Sequence, residues 1–176
     1  MRHGARGSGV DAPLAYYDYK NLEASCPEVW RTIAILAPLS LDRIVFSPYL
    51  RTRQTAMLVQ YGIYKYTGRL IPLVVDTRIG EYLRRRCSWK AQASSEFDSE
   101  TSNAYHGRVP LCREAPEYFL RRVHNFYQEQ VVSSQRTLAI THFSVAEVVG
   151  SFYSREVSLA VGACTLLTTE AVTQMV

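Results

Sequence analysis

The sequence predicts an α/β fold, a three-layer α/β/α sandwich around a mostly parallel central sheet. Three observations carry this. Short apolar runs rich in β-branched or aromatic residues (Arg43-Ile44-Val45-Phe46, Ile71-Pro72-Leu73-Val74-Val75-Asp76, Thr137-Leu138-Ala139-Ile140 and Ala163-Cys164-Thr165-Leu166-Leu167) read as strands. They alternate with stretches whose apolar residues recur at helical spacing, the pattern of a sheet covered by helices on both faces. Finally, 176 residues of ordinary globular composition, without internal repeats, are enough for one domain with a substantial core, so residues 1–176 are expected to form a single domain.

From the N-terminus, Met1-Arg2-His3-Gly4 sets an imidazole beside a guanidinium. The glycines that follow, Gly7 and Gly9, let the backbone approach a ligand closely and present successive NH groups. The plainer alternative is a flexible terminus. Residues 11–24 are loop-like, and Ser25-Cys26-Pro27-Glu28 has the spacing of a capping box, so a helix burying Val29, Ile33 and Leu36 is expected next. After the strand at 43–46, Ser47 suits an N-cap and Pro48 the first helical position, with Gly62 as the C′ residue. That junction places Arg51 in the helix's first turn, near the strand's carboxyl end, where open α/β sheets bind ligands. Glu81 lies just beyond the strand at 71–76. From Cys87 to about Pro110 the chain is polar and Ser-rich without a period, and it reads as a long surface loop placed to serve as a lid. Pro116 opens a helix carrying Phe119, Val123 and Phe126, the strand at 137–140 ends at Thr141-His142, and a further helix spans about 144–153.

Composition excludes several classes. The net charge of +4 is too small to argue for nucleic acid, and Arg84-Arg85-Arg86 lacks the interleaved aromatics or motif of such a site, but the charge suits anionic substrates. No apolar run approaches a membrane span and no signal peptide opens the chain, so a cytoplasmic protein is expected. Cys26, Cys87, Cys112 and Cys164 form no Cys-x-x-Cys pair, and neither zinc nor a disulfide framework is indicated. Six positions after each stand Thr32, Ala93, Tyr118 and Glu170, so the Cys-x5-Arg arrangement of cysteine-dependent phosphatases is absent. No metal or cofactor is implied, and the oligomeric state is not legible.

Four motifs remain: Arg2-His3-Gly4, then Ser47-Pro48-Tyr49-Leu50-Arg51-Thr52-Arg53-Gln54-Thr55-Ala56, then Glu81, then Thr141-His142. On these, in this order, nearly the whole chain resembles the histidine phosphatase (phosphoglycerate mutase-like) superfamily, the Ser-Pro-x-x-Arg-x-x-Gln-Thr-Ala segment being the most specific. The chemistry agrees. A phosphoryl group with nearly two negative charges calls for fixed cations and a nucleophile that works near neutral pH, and guanidinium forks grip its oxygens as an ammonium cannot. The resemblance implies His3 as the nucleophile, His142 as its phosphate-binding partner, Glu81 as proton donor to the leaving oxygen and later activator of water, and Arg2 and Arg51 as phosphate ligands. Arg6 is similarly placed to the second arginine of the branches with Arg-His-Gly-x-Arg. Taken singly, each of these residues reads better as a solvated or core side chain than as a site residue. His106 and His124 read as structural, and Arg53 as a solvated helix residue.

The resemblance also exposes departures. Family members carry a core strand before Arg-His-Gly, where only Met1 stands here, so the first core strand is expected to be missing. Ala5, Gly9 and Phe143 replace the residues usual in mutases. The leading expectation is a metal-independent phosphomonoester phosphatase with a phosphohistidine intermediate, acting on a phosphorylated small molecule or phosphoprotein. Mutase-type phosphoryl transfer and a non-catalytic phosphate-binding or scaffold protein are the alternatives.

Overall fold

The computed structural model describes residues 1–4, 21–23, 26–82 and 114–152. Along these the elements are α1 (Pro27–Leu36), β1 (Arg43–Phe46), α2 (Leu50–Thr67), β2 (Leu73–Val75), a 3-10 turn (Thr77–Ile79), α3 (Pro116–Val132), β3 (Thr137–Ile140) and α4 (Phe143–Phe152). β1 is central and parallel to both neighbours: Ile44 and Phe46 stand opposite Leu73 and Val75 of β2, and opposite Leu138 and Ile140 of β3. The order β2-β1-β3 means that the chain leaves β1 toward one edge and returns on the other side. The crevice at the carboxyl ends of β1 and β3 is thus a topological switch point, the place where such sheets bind ligands.

Alternation along the strands separates two cores. Ile44, Phe46, Leu138 and Ile140 face Val29, Ile33 and Leu36 of α1 and Leu58, Val59 and Ile63 of α2. Val45 and Ala139 face the other way, toward Phe119, Val123 and Phe126 of α3 and Val145 of α4. Period-two side chains on buried strands force this two-sided covering, and it is the expected α/β/α sandwich. Each fully buried large apolar side chain is worth about 1.5–3 kcal/mol of transfer free energy, so both helix layers hold the sheet.

Where the missing first strand was expected, the structure shows Met1–His3 running parallel beside β3, joined at the bridge between Arg2 and Thr141. The Met1 amino group donates to the Ala139 carbonyl (2.7 Å), Thr141 N–H to Met1 O (2.9 Å) and His3 N–H to Thr141 O (3.0 Å). Met1 itself is buried in the α1–α2 core.

Helix ends depart from expectation for identifiable reasons. α2 starts at Leu50 rather than Pro48, with Tyr49 as an N-cap that makes no side-chain cap, because the Ser47 hydroxyl is engaged elsewhere. Gly62 is not a C′ residue. It lies inside α2 against α1, where a β-carbon would stand 2.5 Å from Ile33 Cδ1, and the helix runs on to Gly68, which closes it at φ 70°. α1 begins after Cys26, itself at φ 47° and making no side-chain cap, and Ser25, the expected capping residue, lies outside the described residues. β2 is shorter than the expected 71–76, and Asp76 instead caps the 3-10 turn by accepting from Arg78 N–H (2.8 Å). The expected lid at 87–110, the strand at 163–167, Arg6, Arg84-Arg85-Arg86 and His106 lie outside the described residues. No helix among those described is long and apolar enough to cross a membrane.

Candidate active site

The four motifs meet at the switch point, each delivered by a different element. Arg2-His3-Gly4 lies beside β3, Ser47 to Thr55 follows β1, Glu81 follows β2 and its 3-10 turn, and Thr141-His142 follows β3. Arg51, 0% exposed, occupies the middle. Its Nε donates to His3 Nε2 (3.2 Å), and its Nη2 donates to His142 Nδ1 (3.1 Å) and pairs with Glu81 Oε2. One guanidinium therefore touches both imidazoles and the carboxylate, as a fork of five donors allows.

The hydrogen bonds fix the protonation of both histidines. His3 Nδ1 lies 2.6 Å from the Gly4 carbonyl, which can only accept, so Nδ1 carries the proton and Nε2 keeps its lone pair toward Arg51. His142 has the opposite tautomer. Its Nδ1 faces a guanidinium that can only donate, so Nε2 holds the proton and donates to Ser47 Oγ (2.6 Å). The Ser47 hydroxyl passes its own hydrogen to Thr52 Oγ1 (3.0 Å), and Thr52 donates in turn to the Ser47 or Tyr49 carbonyl, 2.6 Å from each. The two imidazoles stand edge to face with centroids 5.3 Å apart, and the Tyr49 ring packs against both His142 and the Arg51 guanidinium.

Local contacts explain the register. Gly4 N–H donates to Thr55 Oγ1 (3.2 Å), and Thr55 donates to the Arg51 carbonyl (2.7 Å), tying the terminal segment to α2. Thr141 donates to the Ile79 carbonyl (2.6 Å), tying the end of β3 to the loop that carries Glu81. The Glu81 side chain is 32% exposed, at the rim, with Oε2 3.9 Å from His142 Nδ1. Arg2 is half-buried at its bridge with Thr141, one residue from His3. Arg53 is half-exposed on α2 and His124 exposed on α3.

Two groups were not foreseen. Arg122 of α3 and Glu114 just before it form a buried ion pair, and Arg122 also donates to the carbonyls of Arg78, Gly80 (3.0 Å) and Glu81 (3.4 Å). A signal existed, since position 122 falls on the same helical face as Phe119, Val123 and Phe126. Ser47 was read as a helix cap, and no feature of the sequence connects it to a residue 95 positions away. Among the described residues no three His, Cys, Asp or Glu side chains are grouped to hold a metal ion. Chemically, a guanidinium flanked by two imidazoles is suited to a compact oxyanion, and the rim carboxyl to exchanging a proton with it.

The fold is that of a group of solved phosphatases and related hydrolases. One is the alpha-ribazole phosphatase of Shigella flexneri, with TM-score 0.54 and 20% identity over 86% of this chain and 76% of that one. Another is the mycobacterial glucosyl-3-phosphoglycerate phosphatase in complex with inorganic phosphate, with TM-score 0.54 and 18% identity over 86% and 75%. A third is a mycobacterial hydrolase, with TM-score 0.53 and 17% identity over 86% and 69%. At these identities the likeness is one of fold. No family model and no curated protein sequence matches the chain.

Proposed function

We propose that the chain is a metal-independent phosphomonoester phosphatase of the histidine phosphatase (phosphoglycerate mutase-like) superfamily, working through a phosphohistidine at His3. The observation that carries this is the tautomer of His3: its proton is held by the Gly4 carbonyl and its Nε2 lone pair sits 3.2 Å from a buried guanidinium. A nucleophile is thereby kept neutral next to a group that binds its target. The phosphatase names of its structural neighbours, one of them bound to inorganic phosphate, support the same reading.

In the first step Arg51, with Arg2 and Arg6, holds the phosphate oxygens, and the incoming phosphate takes over the Nη2 donor that Glu81 occupies. Glu81, released from Arg51, takes up a proton from solvent or from the phosphate monoanion. His3 Nε2 then attacks phosphorus as the bond to the ester oxygen breaks, and Glu81 passes that proton to the departing oxygen. His142, whose Nε2 proton is spent on Ser47, meets the transferring group through Nδ1, which donates to it only after taking up a second proton as the phosphate displaces the Arg51 donor it now accepts from. In the second step Glu81 takes a proton from water, the water oxygen attacks phosphorus, the phosphorus–nitrogen bond breaks and phosphate leaves. The substrate is a phosphorylated small molecule or phosphoprotein in the cytoplasm, with no nucleic acid or membrane involved.

One observation favours a second reading, phosphate binding without turnover: Arg51 is fully buried and already engaged by the Glu81 carboxylate. Rapid acid quench with a labelled phosphomonoester separates the two. The wild type should yield acid-labile protein-bound phosphate, and His3→Ala should yield none, with turnover lower by on the order of 1,000-fold or more. Phosphate binding with no turnover in the wild type would select the second reading.

A further inference from the structure

Glu81 lies on a stretch without regular secondary structure, and the question is what holds its carboxyl in place. Among the described residues its side chain bonds to Arg51 and approaches His142, both of which a substrate would engage. Its backbone is another matter. Arg122, 8% exposed, spends Nε and Nη2 on the two carboxylate oxygens of Glu114 (2.6 and 2.7 Å). Nη1 donates to the carbonyls of Arg78 and Gly80, and Nη2 also reaches that of Glu81 at 3.4 Å, all in one loop. On the far side Tyr82 N–H donates to Ser144 Oγ (3.2 Å), and the Tyr82 ring stacks on Phe119, with centroids 4.6 Å apart, against which the Arg122 guanidinium also lies. The backbone of Glu81 is thus fixed on both flanks by α3 and α4.

A buried ion pair is weak evidence of stabilisation, since an apolar pair of similar volume often serves as well. What an apolar pair cannot do is donate to three carbonyls of one loop at once. A bidentate Arg–carboxylate pair is a rigid fork, and its free edge here is spent on the segment that ends in the rim carboxyl.

We propose that Arg122, itself fixed by Glu114, is a positioning residue that sets where the Glu81 carboxyl stands relative to the leaving oxygen. This rests on the reading of Glu81 as proton donor. Proton donation matters most for poor leaving groups and least for activated phenols, so loosening the clamp has a signature that general loss of structure lacks.

The test is a series of alkyl and aryl phosphates hydrolysed by wild type, Arg122→Lys, Glu114→Gln and Glu81→Gln, with inhibition by vanadate as a probe of the His3–Arg51 pocket. Arg122→Lys should lose on the order of 10–100-fold in kcat/KM on alkyl phosphates but only about threefold on nitrophenyl phosphate, with vanadate inhibition little changed. Adding Arg122→Lys to Glu81→Gln should produce almost no further leaving-group sensitivity, because both act through one carboxyl. Should Arg122→Lys fail to fold, Glu114→Gln, which keeps the cation and one acceptor, is expected to show the same tilt more weakly. A uniform loss across leaving groups, or additive effects in the double variant, would overturn the proposal. An active wild type with unchanged leaving-group dependence in both clamp variants sinks it alone, whereas a wild type without turnover removes the phosphatase reading as well.

Discussion

A neutral imidazole attacks only through the nitrogen that lacks a proton, and at His3 a main-chain carbonyl decides which nitrogen that is. The same Arg51 that reads the lone pair of His3 also reads that of His142, so one side chain enforces two tautomers. Replacing it with lysine keeps the charge and loses the fork. We expect Arg51→Lys to lower kcat/KM by on the order of 100-fold, while Arg53→Lys, two positions along the same helix, stays within about twofold. Steady-state kinetics on nitrophenyl phosphate decides it, and equal losses would mean that the wrong arginine has been placed in the pocket. His3, Arg51, Glu81 and His142 were legible in the sequence because residues with distinctive chemistry fall at motif spacing. Ser47 and Arg122 were not, because their work depends on partners brought near only by the fold: Ser47 meets a histidine across the sheet, and Arg122 meets carbonyls that carry no residue identity.

Among the elements, strand β1, the buried faces of α1 and α3 and the start of α3 at Pro116 were legible, while the ends of α2 were not. Two glycines in or beside α2 compete for the same sequence signal. Gly68 alone takes a positive φ, and Gly62 serves instead to let α1 and α2 approach. The signs can be separated. Alanine inside a helix is favoured over glycine by up to about 1 kcal/mol, but a methyl forced to within 2.5 Å of Ile33 Cδ1 overpacks a buried contact, typically at a cost of about 1–3 kcal/mol. Gly62→Ala is therefore expected to destabilise by about 1 kcal/mol net, and Ile33→Val in the same chain, which removes the nearest carbon, should restore part of it. Urea unfolding of the single and double variants measures both. A gain in stability for Gly62→Ala would show that helix propensity outweighs the packing.

For the whole molecule, the sheet order places the site. No local pattern in the sequence says that β1 lies between β2 and β3, yet that order alone creates the crevice into which four distant motifs deliver their side chains. Stability of this whole assembly is linked to pH through Cys26, which is buried at the start of α1. Burial, and then the nearby Glu28 carboxylate, push its thiol up from 9.0 to about 11. The folded state thus holds this proton more tightly than the unfolded chain, so the contribution is fully present below about pH 9 and is lost as pH rises toward 11. A difference of two pKa units corresponds to at most about 3 kcal/mol. Other groups titrate in the same window, so the informative quantity is the difference between wild type and Cys26→Ala, which keeps the backbone conformation but has no proton to lose. Urea unfolding at pH 8 and at pH 11 should show the wild type losing up to about 3 kcal/mol more than Cys26→Ala across that interval. Parallel pH dependences in the two proteins would mean that the thiolate finds solvent without unfolding the start of α1.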